Sequence, residues 1–67
     1  MRTFIDSRGT LWEVTEYLAQ HGDVRALRFV SGAEVREFGG VPPDWQQLPD
    51  KELETLCRRA VVTEHGA

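Results

Sequence analysis

Polar and apolar residues alternate through most of the first forty positions, and the period then changes. Arg2 to Asp6 alternates about Phe4, flanked by Thr3 and Ile5. Asp6-Ser7-Arg8-Gly9 interrupts the run. Asp at the start of a type I turn and Gly at its end, where positive φ meets no Cβ clash, is hairpin chemistry. Thr10 to Leu18 is a second run, rich in β-branched and aromatic residues. Gln20-His21-Gly22-Asp23 breaks it. Val24 to Val30 is a third run, Ser31-Gly32-Ala33 a turn, and Glu34 to Phe38 a fourth run. Two hairpins in series predict a four-stranded antiparallel meander.

A one-residue slip sends every side chain of a strand to the opposite face, so the register sought is the one that keeps one face apolar. Asp6 opposite Thr10 sets Phe4 against Trp12. The second turn sets Val14 against Phe29 and Glu16 against Leu27. A three-residue third turn sets Phe29 against Val35. One face then gathers Phe4, Trp12, Val14, Leu27, Phe29 and Val35. A two-residue third turn is rejected because it sets Phe29 against Glu34 and scatters that set. The other face receives Glu13, Thr15, Tyr17, Ala26, Arg28, Glu34, Arg36 and Phe38. Glu16 is left at the inner rim, within reach of Arg25 on the diagonal.

Gly39-Gly40-Val41-Pro42-Pro43-Asp44-Trp45 is incompatible with regular structure and predicts a stiff crossing out of the sheet, anchored by Trp45 and Leu48. Pro49 and Asp50 open a helix, Pro suiting its first turn and Asp accepting from the unpaired amides there. Leu53, Leu56, Cys57, Ala60 and Val61 recur at helical spacing as one stripe. Arg58 and Arg59 fall in the last turn, where cations favour the dipole. The expected fold class is α+β: a four-stranded antiparallel β-meander followed by one C-terminal α-helix packed on one sheet face. Residues 1–62 make a single domain and 63–67 a flexible tail. Trp45, Leu48, Leu53, Leu56, Cys57 and Ala60 complete the core begun on the sheet.

Composition narrows the function classes. With 67 residues the chain holds one domain and no deep enclosed pocket. Its net charge of −3 is spread evenly over the chain, which argues against duplex DNA or general RNA affinity. One cysteine excludes an internal disulfide framework and a cysteine-rich zinc site. Small secreted domains usually need such staples, so a cytoplasmic setting is expected. Neither a signal peptide nor a membrane-spanning run is read from the sequence.

No catalytic constellation emerges. Cys57 lies in the helical stripe, where a buried structural thiol is the ordinary reading, and neither His21 in a turn nor His65 in the tail is placed to activate it. His21 with Asp23, and Glu64 with His65, fall short of the four ligands of a structural zinc site. The glycines build turns and match no phosphate-binding loop. No metal, cofactor or enzymatic activity is expected. The segment from Val41 to Trp45 reads either as a proline stretch offered to an aromatic groove or as a rigid crossover, and the thin core favours the crossover. The sharpest candidate is the outer face, where the chosen register sets Arg28 opposite Arg36 among Tyr17, Val30 and Phe38. Opposed like charges beside exposed aromatics make a contact surface. Neutralisation by Glu13 and Glu34 is the structural alternative.

Arg2-Thr3-Phe4, Asp6, Gly9 and Trp12-x-Val14 at the start are followed by Leu27-Arg28-Phe29. Pro42 to Trp45, Leu48 and Asp50-Lys51-Glu52-Leu53-Glu54-Thr55-Leu56 close the chain. In this order the chain resembles a family of short bacterial proteins of unknown function, over nearly its whole length. The resemblance implies a shared fold and brings no activity with it. Leu18 to Asp23 departs from the pattern. The expected function is a small non-enzymatic protein-interaction or regulatory accessory module, with an unidentified protein partner. One alternative is single-stranded nucleic-acid binding through the Arg and aromatic side chains of the outer face. A second is a structural homo-oligomerisation unit, a homodimer formed through that face or a sheet edge.

Overall fold

A computed structural model of the chain describes residues 2–18, 25–32 and 34–64. Five strands form one antiparallel sheet in chain order: β1 (Arg2–Ile5), β2 (Leu11–Leu18), β3 (Arg25–Ser31), β4 (Glu34–Gly39) and β5 (Val61–Glu64). Between β4 and β5 come one 3-10 turn, Trp45–Gln47, and one helix, α1 (Asp50–Arg59). Among the described residues the fold is α+β with five strands, one more than expected. The Gln20–Asp23 turn lies outside the described residues.

The first hairpin has the expected register, with Phe4 paired to Trp12. Its turn is held by one carboxylate: Asp6 accepts the backbone N–H groups of Arg8 and Thr10 on Oδ1, both at 2.9 Å, and the Trp12 indole N–H on Oδ2 at 3.0 Å. Gly9 takes φ +85°, which a Cβ would resist. The second pairing also has its expected register, Val14 with Phe29 and Glu16 with Leu27. Glu16 reaches Arg25 at 2.8 Å, and its other oxygen accepts the Trp45 indole N–H at 3.0 Å.

The third pairing differs from expectation. Ser31 pairs with Glu34, which leaves a two-residue loop one position later in the chain than the one rejected above, in a register not among the two weighed, and Gly32 there has φ +56°. Glycine leading a two-residue loop supplies the positive φ that such hairpin turns demand, because their twist matches that of the strands. Phe29 therefore opposes Arg36, Leu27 opposes Phe38, Arg28 opposes Glu37 and Val30 opposes Val35. Every β4 side chain lies on the face opposite to the one assigned from apolar matching. Val35 leaves the expected core for the outer face, Arg36 and Phe38 move to the inner face, and the Arg28–Arg36 opposition does not exist.

The helix begins as expected, with Pro49 as its cap residue, but Asp50 makes no capping bond. Its Oδ1 instead accepts from Arg2 at 2.9 Å, which ties β1 to the helix start. The expected stripe runs to Val61, whereas α1 stops at Arg59 and Ala60 is already extended. Val61, Val62 and Thr63 are β-branched, lose rotamer freedom in a helix, and complete the open edge of β4 instead. The expected tail beginning at residue 63 thus contributes Thr63 and Glu64 to β5. A register shift between Val35 and Arg36 bends this pairing. The core between the inner face and α1 holds Phe4, Trp12, Val14, Leu27, Phe29, Trp45, Leu53 and Cys57, with Phe38, Val41, Leu48, Leu56 and Ala60 packed around it. Phe4 and Phe29 meet edge to face at 6.3 Å.

Candidate interaction surface

Helix α1 covers one face of the sheet. The other face is open among the described residues, and its side chains follow from the register. Ile5 pairs with Leu11, Val30 with Val35, and Val61 with Glu37, all on this outer side. One aliphatic residue from each of the five strands is thereby set along a diagonal: Ile5, Leu11, Val30, Val35 and Val61. Ile5, Leu11 and Val61 are 58%, 57% and 68% exposed, and Val30 and Val35 are half-buried by their neighbours.

Beside this stripe sits a polar cluster. The Arg28 guanidinium lies over the Tyr17 ring, 4.4 Å from its centre, and 3.6 Å from a carboxylate oxygen of Glu37. Arg28 Nε is buried and has no hydrogen-bond partner among the described residues. Partial burial, and then the neighbouring Glu37 carboxylate, push the Tyr17 phenol above its ordinary 10.0. The phenol therefore stays neutral and a hydrogen-bond donor at physiological pH.

The expected surface residues are divided by the sheet. Tyr17, Arg28 and Val30 share the outer face; Arg36 and Phe38 lie on the inner one. Arg36 stacks on Trp12, its guanidinium carbon 4.8 Å from the ring centre, donates through Nε to Glu34, and reaches the carbonyl of Cys57 at 3.1 Å. It caps the C-terminal turn of α1. Phe38 packs against the core with Arg59 above it at 6.0 Å. Sequence reasoning missed Ile5, Leu11, Val35, Glu37 and Val61. The legible signal was Gly32 leading the loop, which selects the register that exposes Val35 and Glu37.

Among the described residues no three His, Cys, Asp or Glu side chains gather as a metal site. No described helix is long and apolar enough to cross a membrane. No protein-family model matches the chain, and no significant match is found among curated proteins or solved structures. The fold and surface define a small sheet-and-helix domain with one open face.

Proposed function

We propose that the protein is a small, non-enzymatic interaction module of the cytoplasm that holds a protein partner against the outer face of its sheet. The observation that carries this reading is the diagonal of five aliphatic side chains, one per strand, on the face α1 leaves open. A stripe of this kind, flanked by an Arg–Tyr pair, has the make-up of an interface core with its anchors. The partner offers an apolar surface and an acceptor, a carboxylate or a carbonyl, for the Arg28 Nε, which is unpaired among the described residues. Face binding is favoured over strand addition because both edge strands have four residues and the β4–β5 pairing carries a bulge. It is favoured over base stacking because, with Phe38 in the core, Tyr17 is the one aromatic residue on the outer face among the described residues.

The test is site-specific photo-crosslinking from Thr15 in the native cell, comparing wild type with Leu11→Glu/Val61→Glu. The expected result is a discrete adduct that the double variant loses at least tenfold while its unfolding midpoint is unchanged. An adduct of twice the chain mass assigns the partner as a second copy. Equal labelling of many proteins, or an adduct indifferent to the variant, overturns the reading.

A further inference from the structure

On the helix side of the sheet, away from the outer face, a cavity of about 90 Å³ opens between the β1–β2 turn and the C-terminal half of α1. Asp6, Arg8, Arg36, Glu54, Cys57 and Arg58 line it. The three arginines arrive from three elements: Arg8 from the turn, Arg36 from β4 and Arg58 from α1. In a chain with eight basic residues and a net charge of −3, three guanidinium groups converge on one small space.

The two carboxylates in the lining are already engaged. Asp6 holds two backbone N–H groups and the Trp12 indole. Glu54 accepts the Ser7 N–H at 3.1 Å, the Ser7 hydroxyl at 2.6 Å and Arg58 at 2.7 Å. The guanidinium groups have donors to spare. Arg36 uses Nε and Nη1, and no partner for its Nη2 is found among the described residues. Arg8 makes no ion pair among the described residues. Burial pushes the Cys57 thiol up to about 11, so it lines the cavity as a neutral group. With Glu34 holding Arg36 Nε, three carboxylates balance the three guanidiniums in charge, and what the cavity offers an anion is the unused N–H donors of Arg8 and Arg36.

We propose that this cavity is a binding site for a tetrahedral oxyanion of the phosphate class, held by Arg8, Arg36 and Arg58. Guanidinium groups recognise oxyanions through paired N–H donors. A planar carboxylate presents its two oxygens along one edge and suits one guanidinium in a bidentate fork. A tetrahedral group presents oxygens on several sides, as three arginines from three directions require. The ligand is either free phosphate or a phosphoryl group on a larger molecule.

The site is tested by titrating the ¹⁵N-labelled protein with sodium phosphate at constant ionic strength set by chloride. The Trp12 indole and the Arg8 and Thr10 amides, all bonded to Asp6, report on the cavity. The Trp45 indole, bonded to Glu16, is the control. The expected result is a saturable shift of the first three alone. Arg8→Gln, an exposed turn substitution, weakens it at least fivefold, and Arg59→Gln leaves it unchanged. Acetate binds at least fivefold more weakly than phosphate. Phosphoserine binding more tightly than inorganic phosphate assigns the phosphoryl source, and equal binding assigns the free ion; both support the site. The absence of a saturable shift, an unchanged affinity in Arg8→Gln, or acetate binding as well as phosphate overturns the proposal.

Discussion

Arg36 is held at once by a carboxylate, a backbone carbonyl and an indole face, whereas Arg28, one strand away, has a ring beneath it and a single loose ion pair. A hydrogen bond from a charged donor and a cation over an aromatic ring each contribute on the order of 1 kcal/mol or more. Arg36→Met is expected to lower urea-unfolding stability by about 1–3 kcal/mol. Arg28→Met is expected to lower it by about 1 kcal/mol or less, because its exposed ion pair contributes little and a cation–π contact at an exposed site contributes about 0.5–1 kcal/mol. Equal losses would contradict the observed facing of β4. Cys57 is buried, with its thiol pushed up to about 11 by desolvation, Arg36 pulling weakly the other way. Its alkylation by iodoacetamide at pH 8 is expected to be at least a hundredfold slower in the native protein than in urea. The same shift makes stability fall as pH rises above the ordinary 9.0 toward 11, because the unfolded thiol ionises first.

At the scale of elements, the β1–β2 turn is fastened from inside by Asp6 and to α1 by Glu54. The Trp12 indole, and then the turn amides, hold the Asp6 carboxyl below its ordinary 3.8, and the Ser7 hydroxyl and Arg58 hold Glu54 below its ordinary 4.5. Both groups bind protons less readily when folded. Their contribution is complete above those ordinary values and is lost as pH falls through the depressed folded ones. Asp6→Asn and Glu54→Gln are each expected to flatten the acid limb of the stability–pH curve measured by urea titration below pH 4.5. A limb as steep as wild type in both would show that the turn is held otherwise. Strand β5 is short, and its removal leaves β4 at the edge. A chain ending at Ala60 is expected to exchange β4 amides at least tenfold faster, with the β2–β3 amides much less affected, as read by hydrogen exchange.

For the whole molecule, the division between a covered and an open sheet face separates the side chains that hold the fold from those proposed to meet a partner. Leu11→Lys/Val61→Lys is expected to change unfolding free energy by less than about 0.5 kcal/mol per site, since exposed side chains away from structural bonds contribute little. Phe29→Ala, at the centre of the core, is expected to lower it by about 3–5 kcal/mol. If the outer-face substitutions prove as damaging as Phe29→Ala, the stripe belongs to the fold and not to a contact.

Local chemistry in the sequence determined the first hairpin, the second pairing, the crossing and the start of the helix. In each of these, turn residues, strand propensity and apolar matching point to one answer, as with Asp6, Gly9 and the Phe4–Trp12 pair. The candidate surface was half legible: Tyr17, Arg28 and Val30 share the outer face, but Arg36 and Phe38 do not. Apolar matching misplaced β4 because it treats an inward arginine as an error. Arg36 is tolerated inside because Trp12, Glu34 and the end of α1 surround it, groups that lie 24 positions before, two before and 21 after it in the chain. Only tertiary structure decided that Val61–Glu64 becomes a strand, since the edge it completes is built by residues more than twenty positions away. The same long-range pairing set Val61 on the outer face, where the aliphatic diagonal gains its fifth member.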